Sequence, residues 1–528
     1  MLTLLKNGYI VDGDRTTLYK ADLLIEDDKI SKIVPEYEGN VDKIIDCTNK
    51  IVAPGFIDIH THSDVAPFSN KYNDSKIYQG VTFEVCGNCG VSCVPVSKKN
   101  KDKQSVSLWD QFEDKPSVYG DGYYNDLLDY KNDVDKIGYL SNVGMLVGHG
   151  TIRNEVMGFD NRKPTEIELQ KMCDILDEQL SKGAFGMSLG LIYPPGSFSE
   201  KEEIIELAKI VKKHNGILTV HMRSEGNYIF EAVQEMIDVA RISKVKLEIS
   251  HLKILTRKHW GESDKLIQLI YEAQREGIDV TCDQYPYTAT NTVVAALLPK
   301  QTMAGGKLKT LARLLVPSKK MLTGIHSLIE ERGGGSAILI SQTCGKLPEY
   351  EGKTLQEISN LTNQSQEELV VKIVRKTLGS ARAIYFSINE DDMLNIMKEM
   401  FVSVGSDGAA YCLENKLNTN PHPRNIATFN RFLQIVRDKK FVSIEDAVYK
   451  MTGLPSDVLG LNNRGRLKPG NIADITVFDL NEIKDNCEYT NSFIKPNGIE
   501  HVIVNGVLTL ENHNLLKTKP GKVILKNN

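Results

Sequence analysis

Several residue types suited to metal chemistry stand where short apolar, strand-like runs end. These runs read GFIDIHTH, VTFEVCGNC, VGMLVGHG, AFGMSLGL, ILTVHMR, VKLEISHLK, IDVTCDQYPY and FVSVGSDG. At their ends stand His60 and His62, Cys89, His149, Tyr193, His221, His251, Tyr285 with Tyr287, and Asp407. The chain has 11 histidines, and five of them fall at these ends, which random placement does not favour. His60-Thr61-His62 is an H-x-H pair. Alternation along a strand turns residues i and i+2 the same way, so both imidazoles can reach one ion, or both are ordinary core or surface histidines. His221 and His251 end successive runs and form a plausible pair of zinc-binding imidazoles, although either alone reads equally as a hydrogen-bonded core residue.

Cys86, Cys89 and Cys93 open three readings: a structural zinc knuckle, a redox pair or a single ligand. A knuckle needs a fourth ligand at short spacing, and none is near. A redox C-x-x-C opens a helix, whereas here a strand-like run precedes it and Gly87, Asn88 and Gly90 interrupt it. One thiolate ligand, Cys89, on a glycine-rich turn fits best, with Cys86 and Cys93 as packed thiols. Asp407, in VGSDG, suits a base that takes a proton from water and passes it to a leaving nitrogen, or else a helix N-cap. His149, in GHGTIR, reads as a core or supporting residue.

Positioning these residues requires eight buried strands with helices between them. Residues 165–182 place Leu169, Met172, Cys173, Leu176 and Leu180 on one helical face, ended by Gly183. Ser199 with Glu202 reads as the capping box of the next helix, closed by Gly216. Eight strands alternating with helices predict a (β/α)8 barrel, whose functional groups gather at the strands' C-terminal ends. More than a hundred residues separate the seventh and eighth runs, too many for one crossover helix, so an inserted lid or subdomain is expected around 293–400. The two ends share another pattern, with strand-like segments turned at Asp12-Gly13, Asp27-Asp28 and Asn505-Gly506. The expected organisation is a small β-sandwich built from residues 1–54 and 461–528 around a catalytic barrel spanning 55–460.

Composition narrows the class. The 528 residues carry 64 basic and 69 acidic side chains, a near-balance that gives no electrostatic reason to expect nucleic acid as a partner. No apolar run is long enough to span a bilayer, and MLTLLKNGYIVDGD lacks the basic-then-apolar pattern of a signal peptide. A cytoplasmic location is therefore expected, with the nine cysteines as thiols or ligands rather than disulfides.

Taken together, GFIDIHTHSD, the two lone histidines, the last-run aspartate and the closing LKPGNIADITVFD with VNG resemble the amidohydrolase superfamily. GVTFEVCGNCGVS, GLIYPPG, HMR, SHLK, DQYPYTA and NPHPR resemble, within it, the N-acyl-D-amino-acid deacylase (D-aminoacylase) family over nearly the whole chain. That resemblance implies zinc-dependent hydrolysis of the amide bond of an N-acyl-D-amino acid. It implies a tight zinc on Cys89, His221 and His251, a second, weaker metal position at His60, His62 and Asp407, and Asp407 as general base. It further implies substrate contacts from Tyr193, Lys253, Tyr285 and Arg424. These types make independent sense, since a guanidinium binds a carboxylate bidentately, an ammonium adds a cation, and a tyrosine hydroxyl donates to an oxyanion. Two features depart from the family pattern: a long interval from Asp407 to Arg424, and Thr288-Ala289-Thr290-Asn291 where a serine-bearing turn is usual. Two alternatives compete with this reading. One is a cyclic-amide hydrolase of the hydantoinase type, which bridges two metals through a carboxylated lysine that has no counterpart here. The other is a non-catalytic barrel homologue, a class that typically loses its ligands. Oligomeric state is open at this level.

Overall fold

All eight apolar runs form strands of one parallel sheet. The computed structural model describes residues 1–100, 120–414 and 420–526. The strands are β1 (Phe56–Asp58), β2 (Val81–Cys86), β3 (Asn142–Gly148), β4 (Gly186–Gly190), β5 (Ile217–His221), β6 (Lys246–Ile249), β7 (Val280–Gln284) and β8 (Val402–Val404). Each pairs in parallel with its sequence neighbour, in the order of a (β/α)8 barrel. The strands are buried on both faces, which is why they read as continuous apolar runs rather than alternating ones.

The ring closes between β1 and β8 by contacts beyond the strands themselves. The Thr61–Gly408 bridge, His62 N–H donating to Gly408 O at 3.0 Å and Asp407 N–H donating to His60 O at 2.8 Å join the two ends. A buried ion pair lies beneath them. Lys76 Nζ is 2.7 Å from Asp58 Oδ2 and donates to Ser406 Oγ at 2.7 Å, while Asp58 Oδ1 accepts from Ser406 N–H at 2.9 Å. Lys76 and Asp58 are both fully buried.

The helices cover the barrel by their apolar faces. Glu166–Ser181 buries Met172, Leu176 and Leu180 and half-buries Leu169 and Cys173, as its periodicity predicts. Its N-terminus carries a full capping box, from Thr165 and Glu168. The capping box expected of Ser199 and Glu202 does not form. The helix Lys201–Lys213 begins after Glu200, and Ser199 Oγ instead donates to Gly196 O at 2.7 Å, drawn into the turn that precedes it.

Both termini contribute to one nine-stranded mixed sheet. The strand Leu2–Ile10 pairs antiparallel with Tyr19–Glu26 and parallel with Ile51–Pro54, which pairs antiparallel with Ile475–Phe478 from the C-terminal end. The expected turns at Asp27-Asp28 and Asn505-Gly506 join adjacent strands, with Asp27, Asn505 and Gly506 in left-handed conformations. Between β7 and β8 a three-stranded antiparallel sheet, Thr290–Val293, Arg382–Tyr385 and Ile338–Gln342, packs with its helices around a separate core that includes Leu297, Ile325, Ile338 and Leu369.

Removing one partner of a buried ion pair strands the other charge. Lys76→Met is expected to destabilise the protein by about 3–5 kcal/mol, read from denaturant midpoints. A loss below about 1 kcal/mol would show that ring closure does not depend on this pair.

Candidate active site

Six side chains meet at the mouth of the barrel, brought there from five strand ends. Cys89 Sγ stands 3.3 Å from His60 Nε2, 3.6 Å from His251 Nε2 and 3.7 Å from His221 Nδ1. Asp407 Oδ1 lies 3.5 Å from His60 Nε2 and 3.0 Å from His62 Nε2. His60, Cys89, His251 and Asp407 present ligand atoms all within 4.8 Å of one another. The three residues Cys89, His251 and Asp407 have φ of +53°, +37° and +48°, a region side chains other than glycine seldom occupy. The strained turns aim these side chains inward. At Cys89 the turn depends on its flanking glycines, since a Cβ on Gly87 would stand 2.0 Å from Leu146 O and one on Gly90 would stand 2.5 Å from Gly190 N.

Charge balance at the cluster follows from neighbours. Burial raises the Cys89 thiol, but the His60 imidazole and hydrogen bonds from His221, His251 and His60 hold it well below its usual range, which favours the thiolate. Burial opposes ionisation of Asp407 too, yet Arg424, His251 and His62 keep it well below the ordinary carboxylate range. Burial and Lys253 lower His251, while Glu225 and Asp407 push it up, to about 9. Burial alone dominates at His221, whose basicity falls.

Two carboxylates that sequence reasoning did not single out hold the imidazoles in place. Asp283 Oδ2 is 3.1 Å from His60 Nδ1, and its Oδ1 accepts from His251 N–H at 2.9 Å. Glu225 Oε1 lies 2.8 Å from His251 Nδ1 and accepts from Lys253 Nζ at 2.5 Å; its Oε2 is 3.7 Å from His221 Nε2. Such carboxylate–imidazole pairs fix the tautomer and raise ligand basicity. Their signal lay in the motifs themselves: Glu225 follows His221 by four residues, and Asp283 opens DQYPY.

The donor set fits a divalent metal ion. With Zn–S about 2.3 Å and Zn–N about 2.0 Å, tetrahedral angles separate S from N by roughly 3.5 Å, close to the 3.3, 3.6 and 3.7 Å from Cys89 to its three imidazole neighbours. A thiolate, neutral imidazoles and a carboxylate suit zinc by type. His149 stands apart from the cluster: its Nε2 is 2.8 Å from Glu203 Oε1, which also accepts from Arg153, so it supports the core. Cys86 and Cys93 are buried thiols raised well above their usual range by burial, in line with a packing role.

Beside the cluster a pocket is lined by Tyr193, Lys253, Thr292, Asp407 and Arg424, with apolar walls from Val91, Ile192 and Val293. Tyr193 Oη shares a 2.9 Å hydrogen bond with Thr292 Oγ1, and its ring packs edge-on against His221. Arg424 Nη1 sits 2.8 Å from Asp407 Oδ2, and its guanidinium lies 4.9 Å over the Tyr285 ring. Among the described residues the buried Tyr285 hydroxyl and Arg424 Nε have no hydrogen-bond partner. Leaving such donors unmet costs about 1–3 kcal/mol each, which an anionic ligand offsets. Lys253 reaches the pocket wall, but its ammonium is engaged by Glu225, His251 Nδ1 and His251 O. Its place behind His251 makes it a brace for that imidazole as much as a contact for a ligand. The long interval from Asp407 to Arg424 includes residues 415–419, which lie outside the described residues.

Comparisons with known proteins agree with this geometry. Models of the amidohydrolase family match residues 43–302 and 363–509. A D-aminoacylase of Alcaligenes xylosoxydans xylosoxydans is 32% identical over 525 residues, covering 99% of this chain and 97% of that protein. The crystal structure of an N-acyl-D-glutamate deacylase from Bordetella bronchiseptica, complexed with zinc and a phosphonate mimic of the reaction's tetrahedral intermediate, superposes with a TM-score of 0.84 at 29% identity, covering 99% of each chain. A D-aminoacylase structure described by its binuclear metal centre gives 0.83 at 31% identity, again over 99% of each chain.

Glu225 touches two imidazoles of the cluster without facing Cys89. Glu225→Gln is expected to weaken zinc affinity about 10- to 100-fold, read by competition with a chromophoric chelator. Unchanged affinity would assign Glu225 to Lys253 alone.

Proposed function

The chain belongs to the amidohydrolase family, on its N-acyl-D-amino-acid deacylase branch, and on that premise we infer that it hydrolyses the amide bond of N-acyl-D-amino acids to a carboxylate and a free D-amino acid. The observation that carries the reading is a cysteine sulfur, Cys89 Sγ, facing three imidazoles beside a carboxylate already paired with an arginine.

In this reading Cys89, His221 and His251 would hold a tight zinc ion, and His60, His62 and Asp407 would offer a second, weaker position. Bound there, a divalent ion supplies Lewis acidity, making water more acidic and a carbonyl more electrophilic. The protein's own groups do the rest. Asp407 takes a proton from the attacking water and delivers it to the departing nitrogen as the C–N bond breaks. Its pairing with Arg424 and His62 keeps it ionised, the form that can act as a base. Tyr193 donates to the oxygen on which charge develops. Arg424 and Tyr285 receive the α-carboxylate through their unmet donors, with Lys253 adding positive charge from behind His251. Fixing the carboxylate at one end and the scissile carbonyl at the other leaves the two enantiomers to point their side chains at different walls, which is the basis of D selection.

The cyclic-amide alternative finds less support. Its defining group is a lysine between two metals, and Lys253 lies instead on Glu225 and His251. The nine cysteines are not joined in disulfides, which supports a cytoplasmic setting. Among the described residues no helix is long and apolar enough to cross a membrane.

Release of free amine from N-acetyl-D-methionine and N-acetyl-L-methionine, with zinc analysis, tests the reading. The D enantiomer is expected to turn over selectively, Cys89→Ala to lose the tight zinc, and Asp407→Asn to lower kcat by about 10²- to 10⁴-fold. Equal turnover of both enantiomers, or an undiminished kcat in Asp407→Asn, would refute it.

A further inference from the structure

The pocket holds more positive charge than the hydrolysis just described uses. Lys253 is matched by Glu225 and Arg424 by Asp407. Two more guanidiniums, Arg332 and Arg382, line the same pocket. Both come from the segment between β7 and β8: Arg332 follows the helix Lys319–Glu331, and Arg382 opens the strand Arg382–Tyr385. Both are half-buried, and neither has a carboxylate within ion-pair distance among the described residues. A guanidinium drawn out of water without a counter-ion is unfavourable unless something else supplies the anion.

The placement of Arg382 indicates where that anion sits. Its Nε donates to the side-chain oxygen of Asn291 at 3.2 Å, and the main-chain oxygen of the same residue accepts from Arg424 Nη2 at 3.2 Å. Asn291 itself is held by its Nδ2 on Ala383 O at 3.0 Å. The two guanidiniums therefore flank a single residue. Arg332 stands with its guanidinium 4.6 Å over the Tyr385 ring, on the strand that Arg382 begins, where this pocket adjoins a second cavity. If Arg424 takes the α-carboxylate, a cation one residue's width away suits another carboxylate separated from the first by only a few carbons. That describes the side chain of an acidic amino acid. The acyl group, by contrast, extends from the scissile carbonyl at the Cys89 end. Val293 and Ile192 offer apolar walls for the intervening methylenes.

We propose that Arg382, assisted by Arg332, is the specificity-determining cation for a side-chain carboxylate, so that the preferred substrates are N-acyl derivatives of acidic D-amino acids. The proposal rests on the deacylase reading and on Arg424 as the α-carboxylate site. Both arginines lie in the inserted segment, outside every motif that marks the site in the sequence.

The test compares kcat/KM for N-acetyl-D-glutamate, N-acetyl-D-aspartate, N-acetyl-D-glutamine, N-acetyl-D-methionine and N-succinyl-D-methionine, together with calorimetric Kd values for D-glutamate and D-glutamine. N-acetyl-D-glutamate is expected to exceed its neutral isostere N-acetyl-D-glutamine by roughly 10- to 100-fold, chiefly through KM. Arg382→Met should collapse that ratio by about the same factor and erase the preference for binding D-glutamate, and Arg382→Lys should restore part of both. Arg332→Met should lower the ratio less. A wild-type ratio near one, or a ratio that neither arginine variant moves, overturns the proposal. So does an Arg382 dependence confined to N-succinyl-D-methionine, which would put the second carboxylate on the acyl group. Turnover of N-acetyl-D-methionine with no acidic preference overturns the proposal but leaves the deacylase reading standing. Turnover of none of the five overturns both.

Discussion

Everything at the barrel mouth hangs on how the first strand meets the last. The sheet has no regular ladder between β1 and β8, and the ends are joined by a few backbone bonds and by Lys76 reaching Asp58 and Ser406 in a dry interior. A charge pair so buried gains little net free energy over an apolar substitute, but its geometry admits few alternatives. It sets the residue after Ser406, which is Asp407, against the chain just beyond Asp58, which is His60-Thr61-His62. The acid and two of the imidazoles are thereby placed by the same contact that closes the ring, so ring integrity and site geometry are coupled.

From that closure the cluster builds outward in alternating charge. The Cys89 sulfur faces imidazoles, the imidazoles rest on Asp283, Glu225 and Asp407, and of these Glu225 rests on Lys253 and Asp407 on Arg424. Most charges of the cluster are thus met by opposite ones, which permits so many ionisable groups in a low-dielectric site. The left-handed turns at Cys89, His251 and Asp407 are the accompanying strain, about 1–3 kcal/mol each, carried where rigid scaffold on every side holds them.

The segment between β7 and β8 adds a different property. The barrel strands supply the reacting groups, whereas Asn291, Thr292, Arg332 and Arg382 come from the inserted unit with its own core. Chemistry and selectivity are thereby carried on separately packed parts of one chain. The selective wall can change without disturbing the strand ends.

Local patterns made much of this legible in the residues alone. The eight strands, the amphipathic helix Glu166–Ser181, the paired β-rich ends and the gathering of His60, His62, Cys89, His221, His251 and Asp407 at the strand ends all follow from periodicities and turn residues that operate over a few positions. A local rule also failed where two local options competed: Ser199 bonded back into its turn rather than capping the helix, because its hydroxyl was nearer Gly196 O. What the residues could not disclose was every relation made across the fold. Asp283 reaching back to His60, Glu225 bridging His251 and Lys253, Lys76 closing the ring, the left-handed turns of three non-glycine residues, and Arg382 sharing Asn291 with Arg424 each join segments whose meeting is decided by barrel closure. Pattern determines which face a side chain presents; only the packed whole decides what that face meets, because those contacts form between residues with no fixed relation along the chain.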